Sequence, residues 1–579
     1  MKRYSFLDDQ PALQDSRQGH SEQVDFTWGV KIPMRDGVQL NATLYQPKNS
    51  KPIPAIFTLT PYIADGAHLR GRYFASHGYA FAAVDSRGRG NSGGIFEPFA
   101  NEARDGYDIV EWLAKQVWCD GQVAMWGGSY GGYDQWITLR EAPPHLKTIV
   151  PTASAHVGVD FPFVYNIFSP FEMQWLTYTS GAARNLTIMN DPKFWVAKFQ
   201  EMYQGHLPYK DLDKIVGNRS TYFQTWISHP CCDAYWDEMD FPQEAYDQVN
   251  IPILTITGHY DDDQPGAMEY YRHHMASKSA ARQSHYLIIG PWDHAGTRDP
   301  KTDFGGLQFS EASILDMNEI HGEWYDWTMK DGEKPGFLEK RVAYYVMGEE
   351  KWKYADSLEE IGAKTKKLYL CSPGEANDVF HSGRLEEQPC QAVTTDTFIY
   401  DPLDKRPGDL EWAPVENYLT DQTFDLNLFG NGIIYHSKPF TEDTEITGWV
   451  RVFAWMAMDV PDTDFIVRLG EVLADGRLIR LTQDMLRARY RESLRAEKLV
   501  TPGEINQYVF EGFTFFSRRI SKGSRLRLII SCPNTIYLEK NYNAGGVVAE
   551  ETGEDARTAH ITLYHDPQHA SYVELPVVS

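Results

Sequence analysis

The stretch Val123-Ala124-Met125-Trp126-Gly127-Gly128-Ser129-Tyr130-Gly131-Gly132 joins a short apolar run to the pattern G-x-S-x-G. Four consecutive apolar residues ending in glycines read as a strand buried on both faces. The segment that follows, YDQWITLREA from residue 133, is compatible with a helix, so the serine stands on a strand-to-helix turn. That turn is tight enough to need small residues two before and two after the serine, and it lifts the hydroxyl above the sheet. Ser129 is therefore expected to be a nucleophile, provided that a base can take its proton.

The chain around this turn repeats the same signal. Residues 55–59, 79–84, 253–256 and 286–289 are further short apolar runs, and residues 105–116 have helical spacing between two of the strands. Buried runs alternating with helices define an α/β class with a parallel sheet. Ahead of them, residues 26–48 alternate apolar and polar about Arg35-Asp36-Gly37, as a half-solvated hairpin does. Between about 155 and 249 the pattern becomes aromatic and helix-compatible, which reads as an insertion over the sheet. From about 342 onward short β-branched and aromatic runs recur with turns between them, and these read as an all-β sandwich. The polar stretches 299–306 and 349–367 are the expected loops or linkers. The expected divisions are 1–154 and 250–340 for the α/β domain, 155–249 for the insertion and 341–579 for the sandwich.

Composition removes other classes. The 579 residues carry 80 acidic and 55 basic side chains, a formal charge of −25, which repels phosphate backbones and anionic lipid. No nucleic-acid or membrane partner is expected. Six cysteines, Cys119, Cys231, Cys232, Cys371, Cys390 and Cys532, show no ligand spacing, so reduced thiols and no metal are expected. The opening MKRYSFLDDQPALQDSRQGH has no apolar leader core, so a soluble cytoplasmic protein is expected.

A nucleophilic serine needs an acid and a base later in the chain, in the order Ser, Asp or Glu, His. The run ILTITGHYD places Asp261 just past a buried strand, and YLIIGPWDH places His294 just past the next. Functional groups of open α/β sheets collect at the carboxyl ends of strands, so the three are expected to converge. Asp262 and Asp263 are rival acids, and His259, His273, His274 and His285 rival bases, though none of these histidines stands in a glycine-proline turn after a strand. The oxyanion formed during acyl transfer needs donors. One is expected from the Tyr130 backbone N–H and the other from the Tyr62 hydroxyl in Thr60-Pro61-Tyr62. The run Gly88-Arg89-Gly90-Asn91-Ser92-Gly93 matches the dinucleotide pattern GxGxxG, but residues 95–98 do not begin a helix that could receive a pyrophosphate. A loop beside the active site is the better reading.

Together these residues resemble the CocE/NonD serine hydrolases, relatives of X-prolyl dipeptidyl-peptidases, esterases and acylases. The motifs are Thr60-Pro61-Tyr62, Val84-Asp85-Ser86-Arg87-Gly88, Gly127 to Gly131 with Gln135-Trp136, His229-Pro230 with Asp233 and Tyr235-Trp236, Gly258 with Tyr260-Asp261, and Gly290-Pro291-Trp292 with His294. The resemblance implies an α/β-hydrolase domain with an inserted helical cap and a C-terminal all-β jelly-roll domain. It implies Ser129 as acylated nucleophile, His294 as base, Asp261 as its orienter, and Tyr62 with Tyr130 as oxyanion hole. Asp462, Asp464, Arg487, Arg489 and Asn541 resemble the family's sandwich pattern and are expected to pack or join domains.

Gly131 departs from the α-amino acid ester hydrolases, which carry glutamate there. Candidate substrate contacts are Phe161, Phe163, Tyr165 and Trp175 of the cap, with Trp136 and Trp292 from the motifs. The expected reaction is hydrolysis of a small-molecule carboxylic ester or amide through an acyl-enzyme on Ser129, with no cofactor. An X-prolyl dipeptidyl-peptidase is the alternative, and a non-catalytic carbohydrate-binding protein a more distant one. A homo-oligomer is compatible with the sequence.

Overall fold

The computed structural model describes residues 23–48, 51–391, 394–412 and 415–578. The opening segment 1–20, on which the expectation of no leader rests, lies outside them. Ten strands form one sheet in the order Val24–Pro33, Gln39–Pro47, Ala80–Asp85, Ile53–Thr60, Cys119–Ser129, Leu146–Ser154, Ile253–Tyr260, His285–Asp293, Val342–Val346, Lys351–Ala355. The first two pair as the expected hairpin, and the strands from Ala80–Asp85 to Val342–Val346 run parallel.

Parallel strands need crossovers, and helices supply them on both faces. Ile109, Val110 and Leu113 of Glu102–Ala114, Trp136 and Leu139 of Tyr130–Arg140, and Tyr270 of Gln264–Ala276 fill one core. Phe74 of His68–Ser76 and Trp324 and Tyr325 of Met317–Met329 fill the other. This two-sided burial explains why the central strands read as unbroken apolar runs.

The insertion is helical, with Phe171–Tyr178, Pro192–Gly205 and Thr221–Ile227 among its helices. Pro192–Gly205 shows how sequence sets such a boundary. The Asp191 carboxylate accepts from the N–H groups of Lys193 and Phe194, and proline occupies the first helical position, where no N–H is needed. From Ala363 on, the described residues form a thirteen-stranded sheet, ten strands in one hydrogen-bonded path and Thr444–Gly448, Asn506–Phe510 and Phe516–Ile520 branching from it, round an apolar core.

Two expectations are corrected at the junction. Val342–Val346, assigned above to a sandwich beginning at 341, is a strand of the large sheet, with Leu287 opposite Val342 in parallel register. The polar stretch 349–367, expected as a loop, holds Lys351–Ala355, the antiparallel edge strand. An edge strand with one solvated face can be lysine-rich, so its composition hid it.

Candidate active site

Ser129 ends its strand and immediately precedes the helix Tyr130–Arg140, with φ 60° and ψ −123°. A residue with a side chain holds such a backbone only where its surroundings force it. The glycines around it are closely packed. An added Cβ would lie 3.0 Å from Gly131 O at Gly127, 2.6 Å from the Arg298 guanidinium at Gly128 and 2.8 Å from Ser154 Cα at Gly132. At Gly131 it would meet nothing nearer than Leu59 O at 3.9 Å. The turn thus needs smallness at 127 and 132, while at 128 the Arg298 side chain would have to move aside. The glycine two residues after the serine, expected to be required, has room for a side chain.

The acid and base follow from strand pairing. Ile253–Tyr260 and His285–Asp293 are parallel neighbours with Tyr260 opposite Asp293, so the residues just beyond them emerge side by side. His294 Nδ1 lies 2.8 Å from Asp261 Oδ1. The Asp261 carboxylate also accepts the Thr257 hydroxyl at 2.8 Å and the Asp263 N–H at 3.1 Å, and is fully buried. The rival histidines are engaged elsewhere. His259 Nε2 lies 2.8 Å from Tyr345 O, and burial takes its pKa down to about 4. His274 and His285 meet Nδ1 to Nδ1 at 2.9 Å within the core, and His273 pairs with Glu269. Asp262 lines the adjoining cavity.

Asp263, considered as a rival acid, takes a different position. Its Oδ2 is 3.5 Å from Ser129 Oγ and 3.8 Å from His294 Nδ1. Burial, then Asp160 and Asp261, hold its carboxyl well above the ordinary range, with Arg298 a weaker opposing charge. Asp160, in the first turn of the insertion, accepts the N–H groups of His156 at 2.8 Å and Gly266 at 2.6 Å. Its carboxyl is likewise pushed well up, chiefly by burial. Sequence reasoning missed Asp160. The available signal was its place shortly after the strand Leu146–Ser154, at the sheet end where the other groups emerge.

The Tyr62 hydroxyl contacts the Ser129 side chain and accepts the Trp175 indole N–H at 3.0 Å. Its ring stacks on Tyr178 at 5.3 Å. Tyr130 is held differently. Its hydroxyl donates to Glu102 Oε1 at 2.7 Å and accepts Phe99 N–H at 2.7 Å, while its backbone N–H is in the first turn of the helix, where no intrahelical acceptor exists. Arg89 in the glycine loop is fully buried. It donates to Pro61 O at 2.7 Å, Ser180 O at 3.0 Å and Ala183 O at 3.1 Å, and also to Gly181 O. The loop thus ties the cap to the segment carrying Tyr62.

A cavity of about 490 Å³ opens beside Asp160 and Asp261. Phe161 and Tyr165 line it, as do Trp195 and Phe199 of the cap and Tyr418, Arg480, Gln483 and Asp484 of the sandwich. The sandwich is brought there by contacts with the acid loop: Gln264 Nε2 donates to Phe515 O at 2.8 Å, and Tyr260 OH donates to Arg480 O at 3.0 Å. Arg487, between Asp464 and Glu539, reaches Asn166 O of the cap at 3.1 Å. A smaller recess holds Ser129 and Tyr62 with Arg184 and Arg298. Other expected substrate contacts are corrected. Trp136 is fully buried, stacked on Tyr270 at 4.8 Å. Trp292 is fully buried with its N–H on Ser313 O. Phe163 packs against Phe168 and Trp236 in the cap core. Trp175 supports Tyr62 and does not line the cavity.

The chain is similar to known proteins over nearly its whole length. The profile of the X-Pro dipeptidyl-peptidase S15 family matches residues 36–296, and that of the X-Pro dipeptidyl-peptidase C-terminal non-catalytic domain matches residues 335–574. Cocaine esterase of Rhodococcus sp. (strain MB1 Bresler) is 27% identical over 95% of this chain and 98% of its own. Among solved structures, an aminopeptidase from a marine sediment Thaumarchaeota archaeon superposes with TM-score 0.82 at 21% identity, over 96% of this chain and 97% of its own. An α-amino acid ester hydrolase superposes with TM-score 0.81 at 23% identity, over the same shares. The chain belongs to the CocE/NonD family of serine hydrolases. It is a hydrolase acting on esters or amides. No helix among the described residues is long and apolar enough to cross a membrane.

Proposed function

We propose that Ser129, His294 and Asp261 form the acyl-transfer machinery, and that the preferred acyl group carries a protonated amine. The Ser129 hydroxyl attacks the carbonyl carbon and His294 Nε2 takes its proton. Asp261, 2.8 Å from Nδ1, fixes the tautomer and offsets the imidazolium charge. The Tyr130 N–H and Tyr62 O–H donate to the oxyanion. The imidazolium passes its proton to the leaving alcohol or amine, and water repeats the cycle on the acyl-enzyme.

The observation that carries the amine is Asp263, 3.5 Å from the attacking oxygen and buried beside Asp160. An ionised carboxylate there opposes the developing oxyanion unless a cation lies between them. With an ammonium in place, Asp263 ionises and holds the acyl group against the nucleophile; with an amine-free acyl group it keeps its proton. The match to an X-Pro dipeptidyl-peptidase profile makes an amide with a free amino terminus the second reading.

Two measurements test this. A fluorophosphonate should label the wild type and not Ser129→Ala; equal labelling of the variant removes the nucleophile assignment. Turnover of an α-amino acyl p-nitrophenyl ester should exceed that of the same ester lacking the amine, and equal turnover removes the amine. Dominant hydrolysis of an X-Pro-p-nitroanilide selects the second reading.

A further inference from the structure

In the cap, the paired strands Phe163–Val164 and Ile167–Phe168 are joined by a turn of two residues, Tyr165 and Asn166, with φ of 50° and 63°. A two-residue turn with both φ values positive suits Asn, Asp and Gly, and Asn166 conforms. Tyr165 does not, because in that region its Cβ crowds the following carbonyl. A turn that served only to reverse the chain would gain from a smaller residue at 165.

The sandwich holds this turn from outside the cap. Arg487 Nη1 donates to Asn166 O at 3.1 Å, Asn166 Nδ2 donates to Leu494 O at 2.8 Å, and Glu539 N donates to Phe168 O at 2.9 Å. Arg487 is itself fixed. Its Nε and Nη2 donate to the two Asp464 oxygens at 2.8 and 3.0 Å, and Nη2 donates also to Glu539 Oε2 at 2.9 Å, with all three side chains buried. A planar fork engaged on its other nitrogens leaves one position for the donor that reaches Asn166.

The turn carries the Tyr165 side chain to the cavity wall, beside Phe161 and Asp484. Its hydroxyl takes the space that a side chain at 512 would need: a Cβ added to Gly512 would lie 1.7 Å from the hydroxyl oxygen and 1.9 Å from Cζ. Gly512 is not in the left-handed region, so smallness, not backbone conformation, is what it supplies. Its N–H donates to Asp484 Oδ2 at 2.9 Å, which keeps the seat in place. A strained tyrosine, a buried cation on its turn and a glycine under its ring thus converge on one side chain of the cavity wall.

We propose that Tyr165 closes the sandwich side of the cavity and limits the length of the acyl group, and that Arg487 and Asn166 are positioning residues acting through it, a role that rests on the acyl group of the Ser129 intermediate entering this cavity. Pinned between its turn and Gly512, the ring cannot swing aside for a longer chain. The C-terminal domain thereby sets selectivity without touching the reacting atoms.

The test uses the full chain and p-nitrophenyl esters from acetyl to octanoyl, whose amine-free acyl groups make the outcome independent of the Asp263 assignment. Tyr165→Gly suits the φ of the turn and should raise the ratio of kcat/KM for octanoyl over acetyl about tenfold or more. Lost packing alone would slow both esters alike. Gly512→Ala drives the ring towards the cavity and should lower the ratio about threefold or more. Arg487→Lys and Asn166→Gly each loosen the turn and should raise it; Asn166→Gly, which fits the same φ, serves where Arg487→Lys does not fold. In the Tyr165→Gly background none of the three should move the ratio further. A ratio within about twofold of wild type in Tyr165→Gly, or shifts by the other variants that are equal with and without the ring, overturns the proposal. Failure of a fluorophosphonate to label Ser129 would remove instead the acyl-transfer reading beneath it.

Discussion

Asp263 places a carboxyl oxygen 3.5 Å from the hydroxyl of Ser129, closer to the attacking atom than an acid that only orients the base needs to be. Asp261, two residues earlier, holds His294. One short loop after a single strand thus supplies two carboxyl groups with different neighbours.

That division predicts opposite phenotypes. Asp261→Asn should lower kcat by about 10⁴ with little change in KM, because the imidazole loses its tautomer and its counter-charge. Asp263→Asn should leave kcat for an amine-free ester within a few-fold and raise KM for the amino-acyl ester by about tenfold or more, the loss of one charge-assisted contact. Steady-state kinetics on the paired esters decides it. Matching losses on both substrates in Asp263→Asn would remove the proposed division.

The pH response follows from the raised Asp263 carboxyl, whose shift is caused first by burial and then by Asp160 and Asp261. A raised carboxyl pKa means a proton is retained above the ordinary carboxylate range and released as pH climbs further. For the amino-acyl ester, kcat/KM should therefore rise as Asp263 ionises, until the substrate ammonium itself deprotonates near about 8. The amine-free ester should gain less over the same interval, because the new charge faces its oxyanion. Profiles that superimpose after scaling would falsify the role given to Asp263. The same shift bears on folding: a group bound to its proton more tightly in the folded state stabilises below its unfolded pKa and loses that contribution as pH rises through the folded value.

Tyr62→Phe should reduce kcat by about 10² to 10³, the cost of one oxyanion donor, with KM nearly unchanged. The ring's stacking on Tyr178 survives this change, but the buried Trp175 N–H loses its acceptor, so stability should fall by about 1 kcal/mol or more. A kcat within twofold of wild type would exclude the hydroxyl from the reaction.

Arg89→Met should cost about 1 to 2 kcal/mol of stability, because the buried Pro61 carbonyl loses its donor together with the more exposed carbonyls of Ser180 and Ala183. It should also lower kcat, since Pro61 precedes Tyr62. Chemical denaturation and kinetics on one preparation test both, and superimposable denaturation curves would show the guanidinium to be dispensable.

Trp136→Phe and Phe161→Ala separate core from cavity. The first should destabilise the fold without changing the ratio of rates among acyl lengths, because the indole is stacked beneath the sheet on Tyr270. The second should shift that ratio, since Phe161 lines the cavity. A specificity change confined to the Trp136 variant would reverse the assignment.

Local pattern carried the elbow and both strand-end groups. Ser129, Asp261 and His294 each follow an apolar run, and the order of strands in a parallel sheet brings such ends to one edge. The glycine requirement at 131 was misread because the motif gives spacing without clearance. Asp160 and the sandwich residues Arg480 and Asp484 were not legible, because nothing local marks a side chain that becomes a neighbour only when distant segments dock. Trp136 and Trp292 were misplaced for the same reason: an aromatic beside a catalytic motif is equally able to face the core.

The sequence by itself determined the class of fold and marked Ser129, the aspartates 261 to 263 and His294 as candidates at strand ends, because those depend on period, small residues at a sharp turn and chain order. Tertiary structure alone decided which of three consecutive aspartates holds the base and which faces the hydroxyl. It also decided that a lysine-rich stretch closes the sheet. Those outcomes depend on distances between residues far apart in the chain, and these are set only when buried surfaces pack and exclude water.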